Sequence, residues 1–292
     1  MDEELRMKLA DLGSPEALAA CIVTHFSEIE IPIPLQRVAH DVGITEIIGQ
    51  QTGNFEGILV TNGAKSTGSI AYNAASQPER RRFTIAHELG HFLMPLHGAN
   101  AQCAKSDMAV LTALDPKRAR ETEANRFAAA LLMPRELFLR DMRCLGAPEI
   151  EHVLKLAGDY DVSKEAAVRR YTDLCDDPCA VIFSHQGVVL RTYKTGHFPA
   201  MSIRRDQSLP RLSNSAQQKH DAGRLSGCSE TMPELWLSNV GRVRGATLYE
   251  QYFDQANGYR ISMLTFDGTL DDEDDPDNER ELEESWTPRF RR

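Results

Sequence analysis

Residues 76–95 read SQPERRRFTIAHELGHFLMP, and the five residues His87-Glu88-Leu89-Gly90-His91 within them decide how the chain is to be read. Ser76 and Glu79 are spaced as a capping box, and Pro78 falls in the first turn, where a missing N–H costs nothing. Phe83, Ala86, Gly90, Leu93 and Met94 then recur at three- and four-residue spacing, which predicts a helix with one buried stripe, ending near Pro95. Residues four apart lie one turn apart on the same face. The imidazoles of His87 and His91 can therefore converge on one tetrahedral Zn²⁺, and Glu88, one step round, reaches a water in the open fourth position. The strip between the histidines is too apolar for a solvated face, so the rings need partners.

Such a site needs a third protein ligand, and residues 115–134, DPKRARETEANRFAAALLMP, supply a candidate. Asp115 as N-cap followed by Pro116 starts a helix, and Pro134 ends it. Ala124, Phe127, Ala128, Leu131 and Leu132 fill one arc of that helix, with Glu121 in the middle of it and Asn125 one turn on. Glu123 falls on the other side with Thr122 and Arg126. A carboxylate centred on an apolar face is costly unless something positive meets it, so Glu121 is the expected metal ligand and Glu123 the solvated neighbour. An arginine partner for Glu121 is the alternative. Asn125 suits a group that orients a ligating histidine or carboxylate. His97, six residues past His91 and beyond Pro95, lies too far along for the same coordination sphere and reads as structural or as support behind a ligand.

The two motifs together resemble those of the ImmA/IrrE family of metallopeptidases, as does the helical stretch PLQRVAHDVGI at 34–44. The resemblance covers roughly residues 10–175. It implies a zincin-like α+β fold, a zinc-dependent endopeptidase, and substrates that are DNA-binding repressors controlling stress genes or mobile elements. A contact-acting regulatory protein that keeps zinc for structure, and a toxin- or immunity-linked protease with another target, are the rival readings. The intact Glu88 speaks against the first, since a structural site needs no base.

Around this centre the sequence divides into a metallopeptidase domain at 1–145, a helix-turn-helix-like segment at 146–178, a small antiparallel β-rich domain at 179–268 and an acidic tail at 269–292. Gly57–Thr61 and Ser69–Asn73 read as strands about an Asn62-Gly63 turn. Ser69–Asn73 is the candidate edge strand to pair with a substrate backbone. Tyr72 on it is the one nameable candidate to stabilise the oxyanion of a tetrahedral intermediate. Ser163 caps the second helix of the 146–178 segment. That helix carries Lys164, Arg169 and Arg170 against Glu165 and Asp173, too thin a surplus for more than weak DNA binding. Hairpins are expected at 180–193, about His185-Gln186-Gly187, and at 247–266, about Asn257-Gly258, with a mobile loop at 203–230 between them.

The net charge of −10 is concentrated at one end: residues 271–292 carry ten acidic and four basic side chains, a balance of −6. Such a tail repels itself and has little to bury, so disorder is expected there. No apolar run approaches the roughly 18 residues of a membrane span, and the acidic N-terminus does not open a signal peptide. Six scattered cysteines read as reduced thiols, which points to the cytoplasm. Cys175 and Cys179 have the wrong spacing for a second metal site.

Overall fold

The computed structural model describes residues 3–26, 29–51, 55–98, 100–103, 116–243 and 245–268. Asp115, expected as a helix cap, and the acidic tail at 269–292 lie outside them. The fold is mixed α+β, in two compact units. Among the described residues one comprises 3–138 with 157–166, and the other 139–156 with 167–268, so the segment read as a separate helix-turn-helix-like piece is divided between them.

The first unit opens with helices α1 (Glu3–Ala10), α2 (Pro15–His25) and α3 (Leu35–Val42). Leu35, Val38, Ala39 and Val42 put the buried face of α3 at helical spacing, and Gly43, at a φ of 111°, ends the helix in the left-handed conformation that favours glycine. The chain passes at once into β1 (Ile44–Gln50), then β2 (Gly57–Thr61) and β3 (Gly68–Asn73). A fourth strand, β4 (Asn100–Cys103), completes a sheet of order β1-β3-β2-β4. β1 pairs parallel with β3, while β2 pairs antiparallel with both β3 and β4. β3 is therefore an interior strand whose backbone is engaged on both sides, so it cannot be the substrate-pairing edge expected of it. Of the two edges, the one beside β2 is β4.

Across the sheet lies α4 (Pro78–Leu93), the helix of the His-Glu-Leu-Gly-His motif. Its N-cap is Gln77, without a side-chain bond, so the capping box does not form. Ser76 instead donates to Glu56 Oε2 at 3.5 Å, while its carbonyl accepts from Arg81 Nε at 2.7 Å. Every residue from Thr84 to Phe92 is buried, a wider face than the expected stripe. α5 (Pro116–Leu132) packs on α4 at Gly90, where a Cβ would stand 3.0 Å from Phe127 Cδ1 and 3.3 Å from Ala124 Cα. Only a residue without a side chain lets the two backbones approach so closely.

The chain continues through α6 (Arg135–Arg143), α7 (Ile150–Asp159) and α8 (Lys164–Leu174), and Ser163 Oγ caps α8 by accepting from Ala166 N at 3.1 Å. The second unit is built on β5 (Cys179–His185), β6 (Val188–Lys194), β7 (Ser229–Glu230), β8 (Thr247–Asp254) and β9 (Tyr259–Asp267), in the order β6-β5-β9-β8-β7 and antiparallel throughout. Both turns use left-handed residues, Gln186 and Gly187 in one and Asn257 and Gly258 in the other. One side of the sheet is covered by a core that includes Ile182, Phe198, Trp236, Leu248 and Leu264.

Residues 203–230 are not the mobile loop their polar composition suggests. The wholly buried Glu250 accepts from the backbone N–H of Asn214 and Ser215 at 2.9 and 2.8 Å and from the Ser215 hydroxyl. Arg260 donates to the carbonyls of Ser215 and Gln218 while pairing with the buried Asp254 at 2.5 and 3.0 Å. The polar residues of the segment satisfy a buried network, which is what such groups must do when they leave water.

Candidate metal centre

The close crossing at Gly90 brings Glu121, one turn before Ala124 on α5, up to the two histidines of α4. Glu121 Oε2 lies 3.2 Å from His87 Nε2, Glu121 Oε1 lies 3.5 Å from His91 Nε2, and the two Nε2 atoms are 3.1 Å apart. Four-coordinate zinc with ligands at about 2.0–2.1 Å requires donor atoms about 3.3 Å from one another, so this triangle has the size and the donor types such an ion needs. Among the described residues it is the one cluster of three His, Cys, Asp or Glu side chains able to hold a metal. Burial pushes the Glu121 carboxyl up, but its hydrogen bonds to His87 and His91 outweigh this and hold it well below the usual carboxylate range. It is therefore ionised and able to ligate at neutral pH.

His87 donates from Nδ1 to Asn125 Oδ1 at 3.0 Å, so in the neutral ring that a metal would require it is the Nε2 lone pair that faces the triangle. Asn125 thus stands behind the ring, as its position one turn beyond Glu121 suggests. His91 has a different partner. Its Nδ1 lies 2.9 Å from Nδ1 of the buried His97, whose Nε2 in turn lies 2.9 Å from Glu123 Oε2. Burial lowers the His97 imidazole below the ordinary histidine range, with the Glu123 hydrogen bond opposing it. Glu123 is thus more than the solvated neighbour its helical face suggests. Its side chain, 44% exposed, reaches a ring directly behind a candidate ligand.

His97 reaches this place because α4 ends at Leu93 and the chain folds back, with His97 N donating to Met94 O at 3.2 Å. Lys65, on the loop between β2 and β3, locks that turn by donating from Nζ to the carbonyls of His91, Met94 and His97 at 2.7, 2.8 and 3.0 Å. A cation on the last carbonyls of a helix also meets the negative end of its dipole. Nothing in the linear spacing pointed to Lys65.

Glu88 is wholly buried on the sheet side of α4. Beneath it lies Gly57 of β2, where a Cβ would fall 2.3 Å from Glu88 Oε1. The strand offers bare backbone at this point, and the carboxylate occupies the space a side chain would take. Tyr72 of β3 stands opposite Gly57 in the register of β2 and β3. Its hydroxyl leans across Gly49 of β1, 2.9 Å from where a Cβ would be, and β1 lies on the far side of β3 from Gly57.

Comparison with known proteins bears out the resemblance to the ImmA/IrrE family. Residues 45–172 match the IrrE N-terminal-like domain. Over 118 residues the chain is 32% identical to the radiation response metalloprotease IrrE of Deinococcus radiodurans. That stretch is 39% of this chain and 33% of the relative, so the match spans about a third of the relative's length. In fold, the chain is similar to a Mycobacterium tuberculosis transcriptional regulator, with a TM-score of 0.54 and 17% identity over 90% of this chain and 80% of that one.

Proposed function

We propose that the ImmA/IrrE-family domain at residues 45–172 is a zinc-dependent endopeptidase that cleaves a DNA-binding transcriptional repressor. The observation that carries the reading is the triangle of His87, His91 and Glu121 with a wholly buried carboxylate on the residue next to His87. A metal held for structure is closed by four protein ligands, whereas a catalytic one keeps a position open. Among the described residues the cluster stops at three.

When bound there, zinc supplies Lewis acidity, polarising a peptide carbonyl and acidifying water. His87, His91 and Glu121 hold it, and Asn125 keeps the His87 ring in place. Glu88 takes the proton of the attacking water on a carboxylate oxygen and returns it to the leaving amine. The substrate backbone is presented along β4, the strand next to β2, in whose register Cys103 stands opposite Gly57, the residue that meets Glu88. An extended segment adding to that edge places a peptide bond at the site without needing a deep side-chain pocket.

A protein partner suits the surface better than DNA does. On α8, Arg170 pairs with Asp173 at 3.6 Å, and Arg169 lies over the Tyr193 ring at 5.4 Å, so two of its three cations serve the protein's own packing. No helix among the described residues is long and apolar enough to cross a membrane. Five described cysteines are free thiols, which suits work in the reducing cytoplasm. The test is to incubate the zinc-loaded protein with candidate helix-turn-helix repressors and map fragments by mass spectrometry. One discrete cut, absent with Glu88→Gln, is the expected result; intact repressors throughout would remove the substrate assignment.

A further inference from the structure

The contacts behind His91 form a chain with a direction. For His91 to present the Nε2 lone pair to a metal, its proton must sit on Nδ1, and the atom facing that proton is Nδ1 of His97, 2.9 Å away. Two ring nitrogens can bond only if one carries a proton and the other does not. His97 must therefore accept on Nδ1 and carry its own proton on Nε2. That nitrogen faces Glu123 Oε2 at 2.9 Å, and an ionised carboxylate only accepts. Each link has one consistent proton position once the carboxylate stands at its end.

We propose that His97 and Glu123 are positioning residues of the metal centre, with Glu123 selecting the tautomer of His97 and His97 thereby holding His91 in the tautomer and ring orientation that ligates. The inference rests on the metal-centre reading above and deepens it. His87 reaches the same end in one step through Asn125, whereas His91 needs two because the residue behind it is an imidazole that can bond either way round. Without Glu123, His97 is free to carry its proton on Nδ1, which opposes the ligating form of His91. The backbone turn that brings His97 in is held separately by Lys65, so loss of the Glu123 side chain leaves the turn in place.

The experiment uses the full chain and zinc alone. Zinc affinity is measured by chelator competition for wild type, Glu121→Gln, Glu123→Ala and Glu123→Gln, and the imidazole ¹⁵N shifts of the zinc-loaded proteins report the His97 tautomer. Removing a group that orients a ligand typically weakens metal binding by about 10–100-fold. Glu123→Ala should fall in that range, whereas Glu123→Gln, whose amide oxygen still accepts the His97 Nε2 proton, should stay within a few-fold of wild type. In wild type the His97 proton should reside on Nε2. Wild-type affinity in Glu123→Ala, equal losses in the Ala and Gln variants, or a His97 proton on Nδ1 would each overturn the proposal. Glu121→Gln separates the two levels. If it binds zinc as wild type does, the metal-centre reading itself fails; if it alone loses zinc, only the relay is wrong.

Discussion

Replacing Gly57 with alanine puts a methyl carbon 2.3 Å from Glu88 Oε1, 2.9 Å from Glu88 Cδ and 2.7 Å from Thr84 Cγ2. Non-bonded heavy atoms settle at about 3.5–4.0 Å between carbons and slightly less between carbon and oxygen, so the carboxylate must retreat by about 1 Å. β2 cannot give way easily, since it is paired on both sides. Glu88 has no exposed surface to swing toward, because it lies in a run of nine buried residues. Overpacking of this kind costs about 1–3 kcal/mol, which lowers the melting temperature by a few degrees in a protein of this size. A misplacement of about 1 Å at a reacting group costs on the order of 10²-fold in rate.

Gly57→Ala should therefore keep its zinc, since no ligand moves, melt slightly earlier, and cleave its substrate about 10²-fold more slowly. Elemental analysis, calorimetry and a cleavage time course measure the three. Shortening the acid in the same background should relieve the clash: Glu88→Ala combined with Gly57→Ala should be more stable than additivity allows, by more than about 0.5 kcal/mol. Wild-type cleavage by Gly57→Ala with zinc intact, or strict additivity in the cycle, would show that the carboxylate does not need the space beside β2, and the placement of the base would be abandoned.

The ligand assignment predicts that Glu121→Gln loses zinc far more readily than Glu123→Gln, by elemental analysis after dialysis, since only Glu121 faces the two Nε2 atoms. Glu88→Gln should retain zinc and fold while losing cleavage by at least about 10²-fold; a wild-type rate would rule out the mechanism. In the second unit, burial pushes the Asp254 carboxyl up, but its hydrogen bonds to Arg260 outweigh this and lower it. A depressed folded value stabilises above the unfolded carboxylate range, near pH 4, and that contribution is lost as pH falls through the folded value. Asp254→Asn should cost about 3–5 kcal/mol at neutral pH by leaving Arg260 buried without its charge partner. It should also flatten the acid limb in melts taken from pH 7 to 3, and an unchanged limb would assign acid unfolding to other groups.

Local periodicity carried much of the site. The spacing of His87 and His91 and the apolar arc around Glu121 depend only on helical geometry, which is why both were legible without a fold. What stayed hidden depends on contacts distant in sequence. The parallel pairing of β1 with β3 makes β3 interior, and nothing within Ser69–Asn73 reports that. His97 looked remote because spacing was counted along a straight helix, whereas the turn after Leu93 folds it back under His91. Residues 203–230 looked mobile because their composition is polar, but composition does not reveal Glu250 and Arg260 waiting in the sheet to be satisfied.

The two glycines that touch the site explain why its precision is invisible in its chemistry. Glu88 and Gly90 are two residues apart on α4, about 200° round the helix, so they address opposite neighbours. Gly57 lets β2 lie close enough to leave room only for the Glu88 carboxylate, and Gly90 lets α5 lie close enough for Glu121 to meet both Nε2 atoms. A side chain at either point would move an acid relative to the histidines rather than remove one. The His87–His91–Glu121 triangle and the Glu88 carboxylate are thus set from two sides by backbone approach, one from the helix and one from the sheet. Because each approach is controlled at a separate position, a change at Gly57 should displace Glu88 while leaving the triangle intact. That separation makes the proposed metal binding and the proposed cleavage independently measurable in this domain.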